Sequence, residues 1–289
     1  MRLTIVGFGL IGGSIARALA ARDADQWHVT AWSRSGDGLR AGVADGVVDA
    51  VASSPGEAVG GAELVLLAAS PLANLDLVGS IGPAVVAAGA TLTDVTSAQV
   101  RLGQAAARVS GLHHVGGHPM AGAAASGYDA ARADMFAQRP WIVLPSATAG
   151  PDDLARVRTL VAACGGIPVE MGADEHDRLV AAVSHMPLVV AATLAETVIG
   201  SDEWQAASML AAGGWRDSTR VARGDPDLGA GIAALNRDEL VGWLDRFAAE
   251  LASWRADLEA LPDSPASADM QALRTRFERV RAALNRQYG

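Results

Sequence analysis

Arg2 to Val6 is a short apolar run rich in β-branched residues, and it leads directly into Gly7-Phe8-Gly9-Leu10-Ile11-Gly12 and then a helical pattern from Ser14 to Ala21. A strand, a G-x-G-x-x-G turn and a helix, in that order, commit the N-terminal half to a parallel α/β sheet with a dinucleotide at its carboxyl edge. Gly7 permits the tight turn, Gly9 lets the backbone approach a pyrophosphate, and Gly12 lets the helix pack close to the strand. Leu10 and Ile11 lie within the same cofactor-binding turn, and the N-terminus of the helix that follows stabilises the phosphate charge.

A second strand, His28 to Trp32, ends at the spacing of the residue that reads the ribose. NAD-selective sites carry Asp or Glu there, whereas this chain has Ser33-Arg34. No carboxylate repels a 2'-phosphate and a guanidinium is present to bind one, so NADP is the expected cofactor and NAD the alternative. The plainer reading of Arg34 is an exposed side chain in an ordinary loop.

The alternation continues through a short strand at Val47 to Val51 and a continuous apolar run, Glu63 to Ala69, of the kind found in buried parallel strands. That run ends at Ser70-Pro71, where the chain should leave the sheet beside the cofactor. Thr91 to Val95 is the next strand and delivers Ser97; a helix from Ala98 to Ser110 and a strand at Leu112 to Val115 then deliver His118. Ser97 and His118 are therefore expected at neighbouring strand ends, on the edge that carries the glycine loop. Trp141 to Leu144, a helix from Asp152 to Ala163, and Pro168 to Met171 complete a Rossmann-type doubly wound sheet over residues 1–171. Beyond Asp174 almost everything reads as helix, with turns at Gly213-Gly214, Gly224-Asp225-Pro226 and Pro262-Asp263-Ser264-Pro265. This gives a second, all-helical domain for substrate binding and dimerisation over residues 172–289.

Half of the 289 residues are hydrophobic, enough for two cores. The net charge of -9 argues against nucleic acid or an anionic membrane as partner. Any anionic ligand must be met by locally placed arginines, because all 23 basic residues are Arg. The lack of lysine also excludes Schiff-base chemistry, lysine-anchored pyridoxal phosphate and a Walker-type loop. The single Cys164 rules out an internal disulfide, reads as a packed residue and not a nucleophile, and fits a cytoplasmic protein. Leu3 to Ala21 has the look of a secretory signal, but its glycines belong to the dinucleotide motif. Leu179 to Ile199 is long enough to span a bilayer, yet it carries His185, Pro187 and Glu196, and a fully buried helix is expected instead. A helix apolar on all faces needs partners all round, more than one small domain supplies, so a homodimer through the helical half is expected.

Three stretches hold chemistry-bearing residues. Gly116-Gly117-His118-Pro119-Met120-Ala121-Gly122 sets one imidazole between glycine pairs and a proline, which predicts a tight turn holding the ring. With an ordinary value near 6.5, His118 suits a base that takes a hydroxyl proton at neutral pH; a structural histidine capping a loop is the other reading. Gly213 to Arg220 contains Arg216, Asp217 and Arg220, either a solvated ion-pair face or a fork that grips a carboxylate. Ser184-His185-Met186-Pro187 puts a polar pair in an apolar run, so it is either a domain-interface contact or part of the site. His28, His113, His114 and His176 look ordinary, and no spacing predicts a metal site.

Taken together, Gly7-x-Gly9-x-x-Gly12, Thr93-Asp94-Val95-Thr96-Ser97, Gly117-His118-Pro119-Met120-Ala121-Gly122, Ser184-His185-Met186-Pro187 and Arg216-Asp217-Ser218-Thr219-Arg220 resemble the prephenate/arogenate dehydrogenases of tyrosine biosynthesis, in the family's order and over nearly the whole chain. The resemblance implies that a cyclohexadienol ring loses hydride to NAD(P) while its carboxylate leaves as carbon dioxide, giving tyrosine from arogenate or 4-hydroxyphenylpyruvate from prephenate. It implies that His118 accepts the hydroxyl proton and that Ser97 hydrogen-bonds the same hydroxyl and helps orient the imidazole. Arg220 would hold a substrate carboxylate, with Asp217 fixing the arginines and Arg216, His185 and Gly122 beside the substrate.

Many prephenate-specific members carry T-E-K where this chain has Ala123-Ala124-Ala125, and a second histidine where it has Leu188. With Ser33-Arg34, these departures resemble the NADP-linked arogenate dehydrogenases, so arogenate is favoured. Oxidation of a 4-amino analogue of prephenate, or a nicotinamide-sensing protein without catalysis, are the alternatives. The chain ends at Gly289 after an Arg-rich helix, and a regulatory domain of the kind some members add is not expected.

Overall fold

The first strand, β1 (Arg2–Val6), is buried beyond Arg2 and divides its side chains between two cores. Leu3 and Ile5 point to one face, Val6 to the other. Strand β4 (Leu64–Leu67) does the same: Leu64 and Leu66 join the first core, Val65 and Leu67 the second. A strand that is apolar on both faces must be covered on both, and two sets of helices do so. The first core takes Ile15 and Leu19 of α1 (Leu10–Asp23), Leu39 of α2 (Asp37–Ala44), and Val157 and Leu160 of α6 (Pro151–Ala163). The second takes Val78, Ile81 and Val85 of α4 (Pro71–Ala88) and Leu102 of α5 (Val100–Ala107). Each such leucine or isoleucine removed from water contributes roughly 1.5–3 kcal/mol.

The computed structural model describes residues 1–123, 125–264 and 266–288; Ala124 of the alanine run, Pro265 of the last turn and Gly289 lie outside the described residues. The sheet has eight strands in the order β3-β2-β1-β4-β5-β6-β7-β8. The remaining strands are β2 (His28–Trp32), β3 (Ala50–Val51), β5 (Thr91–Asp94), β6 (His113–Pro119), β7 (Pro140–Pro145) and β8 (Ile167–Glu170). A short helix, α3 (Pro55–Ala58), precedes β4. The first six strands are parallel, with Val6 opposite both Trp32 and Leu67. The order reverses between β1 and β4, and a crevice opens outside the carboxyl ends of those two strands. Strand β7 runs antiparallel to β6, pairing His118 with Ile142. Among the described residues 120–139 the only regular element is a 3-10 turn, Tyr128–Ala130, so no crossover helix is there to make β7 parallel.

Met1–Leu240 and Val241–Gly289 form two compact units. The first also contains the helices α7 (Ala173–Val180), α8 (Met186–Ile199), α9 (Trp204–Ala207), α10 (Gly213–Thr219) and α11 (Pro226–Leu235). The second holds most of α12 (Arg237–Glu259) and α13 (Gln271–Tyr288), tied by Trp254 against Phe277 and by Arg276 with Glu250 and Asp257.

The expectation of one fully buried helix from Leu179 to Ile199 does not hold. A π turn at Ala181–His185 separates α7 from α8. Pro187 has no N–H to close on Val183 and its ring crowds that carbonyl, so the ladder resets immediately before it. Within one chain the segment buries Val180, Ala181, His185 and Ala191, while Val183 is 74% and Ile199 50% exposed. By length and composition alone, Pro71–Ala88 and Ala173–Ile199 are each apolar enough to cross a membrane; Pro71–Ala88 is α4, whose apolar side chains fill the second core.

Candidate active site

The glycine loop is shaped by what a side chain would hit. At Gly7, φ is +102°, and a Cβ would lie 2.4 Å from the Ala69 nitrogen; at Gly12 it would lie 2.2 Å from the Gly7 carbonyl oxygen. Gly9, by contrast, has no atom within 4 Å of its Cβ position and stands at the N-cap of α1. Open space over a bare helix N-terminus is what a pyrophosphate requires, so the residues present fit a nicotinamide dinucleotide. Gly13 adds a constraint absent from the motif: a Cβ there would meet the Tyr128 ring at 2.4 Å. Tyr128 stacks on Phe8, donates its hydroxyl to Asp45 and lies under the Arg17 guanidinium, so the segment after β6 folds back onto α1. Ser33 is half-buried and Arg34 exposed, just past the end of β2.

A cleft of about 390 Å³ lies at the crevice. Its floor is Gly9, Leu10 and Ile11; its walls are Ser70 and Pro71 after β4, Thr96 and Ser97 after β5, His118 in β6, Gly122 to Gly127 where described, and Asp225, Leu228 and Ile232 at α11. Ser97 and His118 thus share one cavity with the glycine loop. The predicted tight turn at Gly116-Gly117 is not what forms there: both glycines lie within β6, which stays extended through Pro119. They are needed for close approach. A Cβ on Gly116 would meet the Gln99 amide oxygen at 2.2 Å, and one on Gly117 the Asp94 carbonyl oxygen at 2.5 Å.

His118 is held by a residue that looked ordinary in the sequence. Its Nδ1 lies 2.9 Å from Nε2 of His176, whose own Nδ1 lies 2.7 Å from Asp177. Asp177 also accepts the backbone N–H groups of Gln99 and Val100 at the start of α5. Gln99 in turn donates its side-chain amide to Asp94, Thr96 and Gly117. Burial, with the neighbouring His176 and His185 imidazoles, lowers His118 to about 3, so the ring is neutral at physiological pH. Ser97 does not orient that ring, contrary to what the resemblance implied: its buried hydroxyl makes no hydrogen bond among the described residues, and His176 takes the orienting position.

His185 sits in the π turn and is buried. Asn236 donates one amide hydrogen to the Asp177 carbonyl and the other to His185 Nδ1, which leaves His185 Nε2 as an N–H with no hydrogen-bond partner among the described residues. Burial lowers His185 to about 4; Asp177 opposes the shift, His176 adds to it, and the Ser97 carbonyl, close but outside hydrogen-bond geometry, opposes it. Of the two sequence readings for His185, the structure places it behind the cleft as a neighbour of His118.

Arg220 lines a second cavity, of about 730 Å³, which shares Gly122, Ala123, Asp225 and Leu228 with the first. Ser184, Leu188 and Glu196 of the π turn and α8 face it too. Arg216 and Asp217 are exposed on α10 and line neither cavity. Among the described residues Asp217 makes no ion pair with Arg216 or Arg220, so the expected bracing of the arginines is not present. Sequence reasoning missed His176, Asp177, Gln99 and Asn236. The adjacency of His176 and Asp177 was the only signal, and beside Asp174 and Glu175 it reads as an acidic helix start.

Residues 15–170 match the nucleotide-binding domain of prephenate dehydrogenase and residues 172–277 its dimerization domain. The cyclohexadienyl dehydrogenase of Zymomonas mobilis is 32% identical over 260 residues, spanning 88% of this chain and 87% of that one. The prephenate dehydrogenase of Bacillus subtilis is 29% identical over 260 residues, spanning 89% and 70%. The crystal structure of Synechocystis arogenate dehydrogenase superposes with a TM-score of 0.78 at 26% identity, covering 100% of both chains. A dinucleotide cradle at the switch point, a histidine at the same sheet edge and matches to both halves in order lead to one assignment: the chain belongs to the prephenate dehydrogenase family, NAD(P)-dependent enzymes that oxidatively decarboxylate a cyclohexadienol in tyrosine biosynthesis.

Proposed function

We propose that this enzyme acts on arogenate in preference to prephenate and with NADP in preference to NAD, with His118 as the base. The observation that carries the base assignment is the neutral His118 ring, engaged at Nδ1 by His176 and lining the cleft beside Gly9 and Ser97. Its remaining nitrogen, Nε2, takes the hydroxyl proton of the substrate ring. Ser97, whose buried hydroxyl has no hydrogen-bond partner among the described residues, hydrogen-bonds the same oxygen. Gly7, Gly9, Leu10, Ile11, Gly12, Ser70 and Pro71 would hold the nicotinamide dinucleotide, which when bound would supply the hydride acceptor. Loss of carbon dioxide makes the ring aromatic, so the protein's tasks are orientation and removal of one proton.

Arg220 holds a substrate carboxylate in the adjoining cavity, which Gly122 also lines, while Arg216 and Asp217 stay on the exposed face of α10. Glu196 and Asp225 line that cavity as well, and their carboxylates suit the side-chain ammonium that arogenate carries and prephenate lacks. Ala123 and Leu188 leave it without the extra charges that the prephenate-specific pattern brings, and Ala125 does the same for the neighbouring cleft. Arg34, exposed past β2, supports NADP. The boundary between nucleotide-binding and helical halves falls at residues 171 and 172, where β8 gives way to helix. The half-exposed apolar α8, together with the match to a dimerization domain, supports a homodimer through the helical half. A single buried thiol, pushed well up by burial, supports a cytoplasmic enzyme.

Steady-state kinetics with both substrates and both nucleotides test the preferences; a higher kcat/KM for prephenate with NAD overturns both. His118→Asn should lower kcat by roughly 10²–10⁴-fold with KM little changed, and near-normal turnover would return His118 to a structural role. Sedimentation equilibrium tests the dimer.

A further inference from the structure

We propose that Asp177 and His176 are positioning residues that lock His118 in the Nδ1–H tautomer, so that Nε2 is the ring nitrogen free to accept a proton; this rests on the reading of His118 as the base. The assignment follows from hydrogen-bond polarity, read from one end of the chain of contacts to the other. The Asp177 carboxylate already accepts N–H groups from Gln99 and Val100, and an ionised carboxylate can only accept. Its 2.7 Å contact with His176 Nδ1 therefore makes that nitrogen the donor. A neutral imidazole that donates from Nδ1 carries a lone pair on Nε2. The 2.9 Å contact from that lone pair to His118 Nδ1 can then be satisfied only by a hydrogen on His118. His118 Nε2 is left with a lone pair at the cleft, as a base requires.

The arrangement is built into the fold. His176 and Asp177 are 2% exposed, and both lie in the first helix after the sheet ends. Asp177 is pinned by α5, which follows the strand that delivers Ser97, and its carbonyl is pinned by Asn236. The acceptor that orients the base is thereby fixed by the start of the helix that directly follows the hydroxyl-binding serine. When His118 takes the substrate proton and becomes an imidazolium, the carboxylate one ring away stabilises the charge without moving. His185, the other imidazole near His118, cannot do this, because its Nδ1 is committed to Asn236.

Asp177→Asn tests the lock. The amide oxygen keeps the backbone N–H groups of Gln99 and Val100, so the amide NH₂ turns to His176 Nδ1. That nitrogen must then accept, His176 Nε2 becomes the donor, and His118 is forced into the Nε2–H tautomer, which cannot act as a base. We expect kcat to fall by roughly 100-fold or more with KM within a few-fold. Long-range ¹H–¹⁵N spectra of the ¹⁵N-histidine-labelled full chain, with the His118 signal assigned by its loss in His118→Asn, should show the Nδ1–H pattern in the wild type and the Nε2–H pattern in Asp177→Asn. An Nε2–H wild type, or an unchanged tautomer in the variant, overturns the proposal. If Asp177→Asn does not fold, His176→Leu replaces it, and a His118 signal still purely Nδ1–H there overturns the proposal equally. Turnover of His118→Asn judges the base assignment separately: an active His118→Asn removes the base while the tautomer measurement still decides the lock.

Discussion

Gly117 separates packing from chemistry, because it is one residue from the base yet faces away from the cleft. A Cβ there would lie 2.5 Å from the Asp94 carbonyl oxygen and 3.1 Å from the Trp141 indole nitrogen. Ordinary contact begins at 3.4 Å, so the first gap is short by about 0.9 Å. Neither neighbour can yield easily. Asp94 ends a strand paired with β4 at Leu67↔Asp94 and with β6 at Thr93↔Val115, its side chain is held by Gln99 and His114, and Trp141 is 1% exposed. In Gly117→Ala the shift must therefore come from β6, which carries His118 with it. Overpacking of this kind costs about 1–3 kcal/mol of stability, and displacing a reacting group by about 1 Å costs on the order of 100-fold in rate. The expected result is a kcat lowered by about two orders of magnitude in a protein that still unfolds cooperatively in urea. Gly103→Ala is the control: it sits inside α5 with nothing within 4 Å of its Cβ position, and it should leave kcat alone while gaining up to about 1 kcal/mol. Wild-type kcat in Gly117→Ala would refute the claim that this glycine sets the position of the base.

Three further outcomes are expected. His118 and His185 bind protons less readily folded than unfolded, at about 3 and about 4 against 6.5, so as the pH falls below 6.5 the unfolded chain takes up protons first and stability drops; above 6.5 neither contributes a slope. Urea midpoints between pH 7 and 4.5 should decline less steeply in His118→Asn than in the wild type, and identical slopes would remove His118 as a source. Arg34→Glu should raise the KM for NADP by roughly tenfold or more while sparing NAD, since it replaces a guanidinium by a repelling carboxylate; a parallel change for both nucleotides would place Arg34 outside the 2'-phosphate site. Arg220→Ala should raise the substrate KM by roughly 10- to 100-fold, because the lost bond is charge-assisted, whereas Arg216→Ala, on the exposed face, should change it little.

The nucleotide half was legible because its signals are local. A strand ending in Gly7-x-Gly9-x-x-Gly12 has few conformations open to it, and β1 and β2 form over the residues their patterns mark. The strand ends that carry Ser97 and His118 follow from the same alternation. What periodicity could not supply was direction. β7 has the composition of any buried strand, and only the lack of a crossover helix before it makes it antiparallel. The Gly116-Gly117 pair misled for a related reason. Glycine marks a turn and a close contact alike, and the contact here is with Gln99 and Asp94, which are 17 and 23 residues away in sequence.

The relay behind His118 was illegible for a deeper physical reason. Its three members are ordinary residues whose roles exist only as pairings across the fold: His176 meets His118 from 58 positions away, and Asp177 meets Gln99 from 78. In sequence, Asp177 is one of a cluster of acids at a helix start, and such acids are normally solvated. Burial changes what it can do. Asp177 is 2% exposed, so its oxygens must be filled by protein donors, and the donors available are two helix N–H groups and one imidazole. Satisfying that carboxylate is what determines where the hydrogens sit on two histidines. The tautomer of His118 therefore depends on a carboxylate that no spacing rule connects to it, and the substitution that tests this dependence lies at Asp177, while His118→Asn tests the base itself.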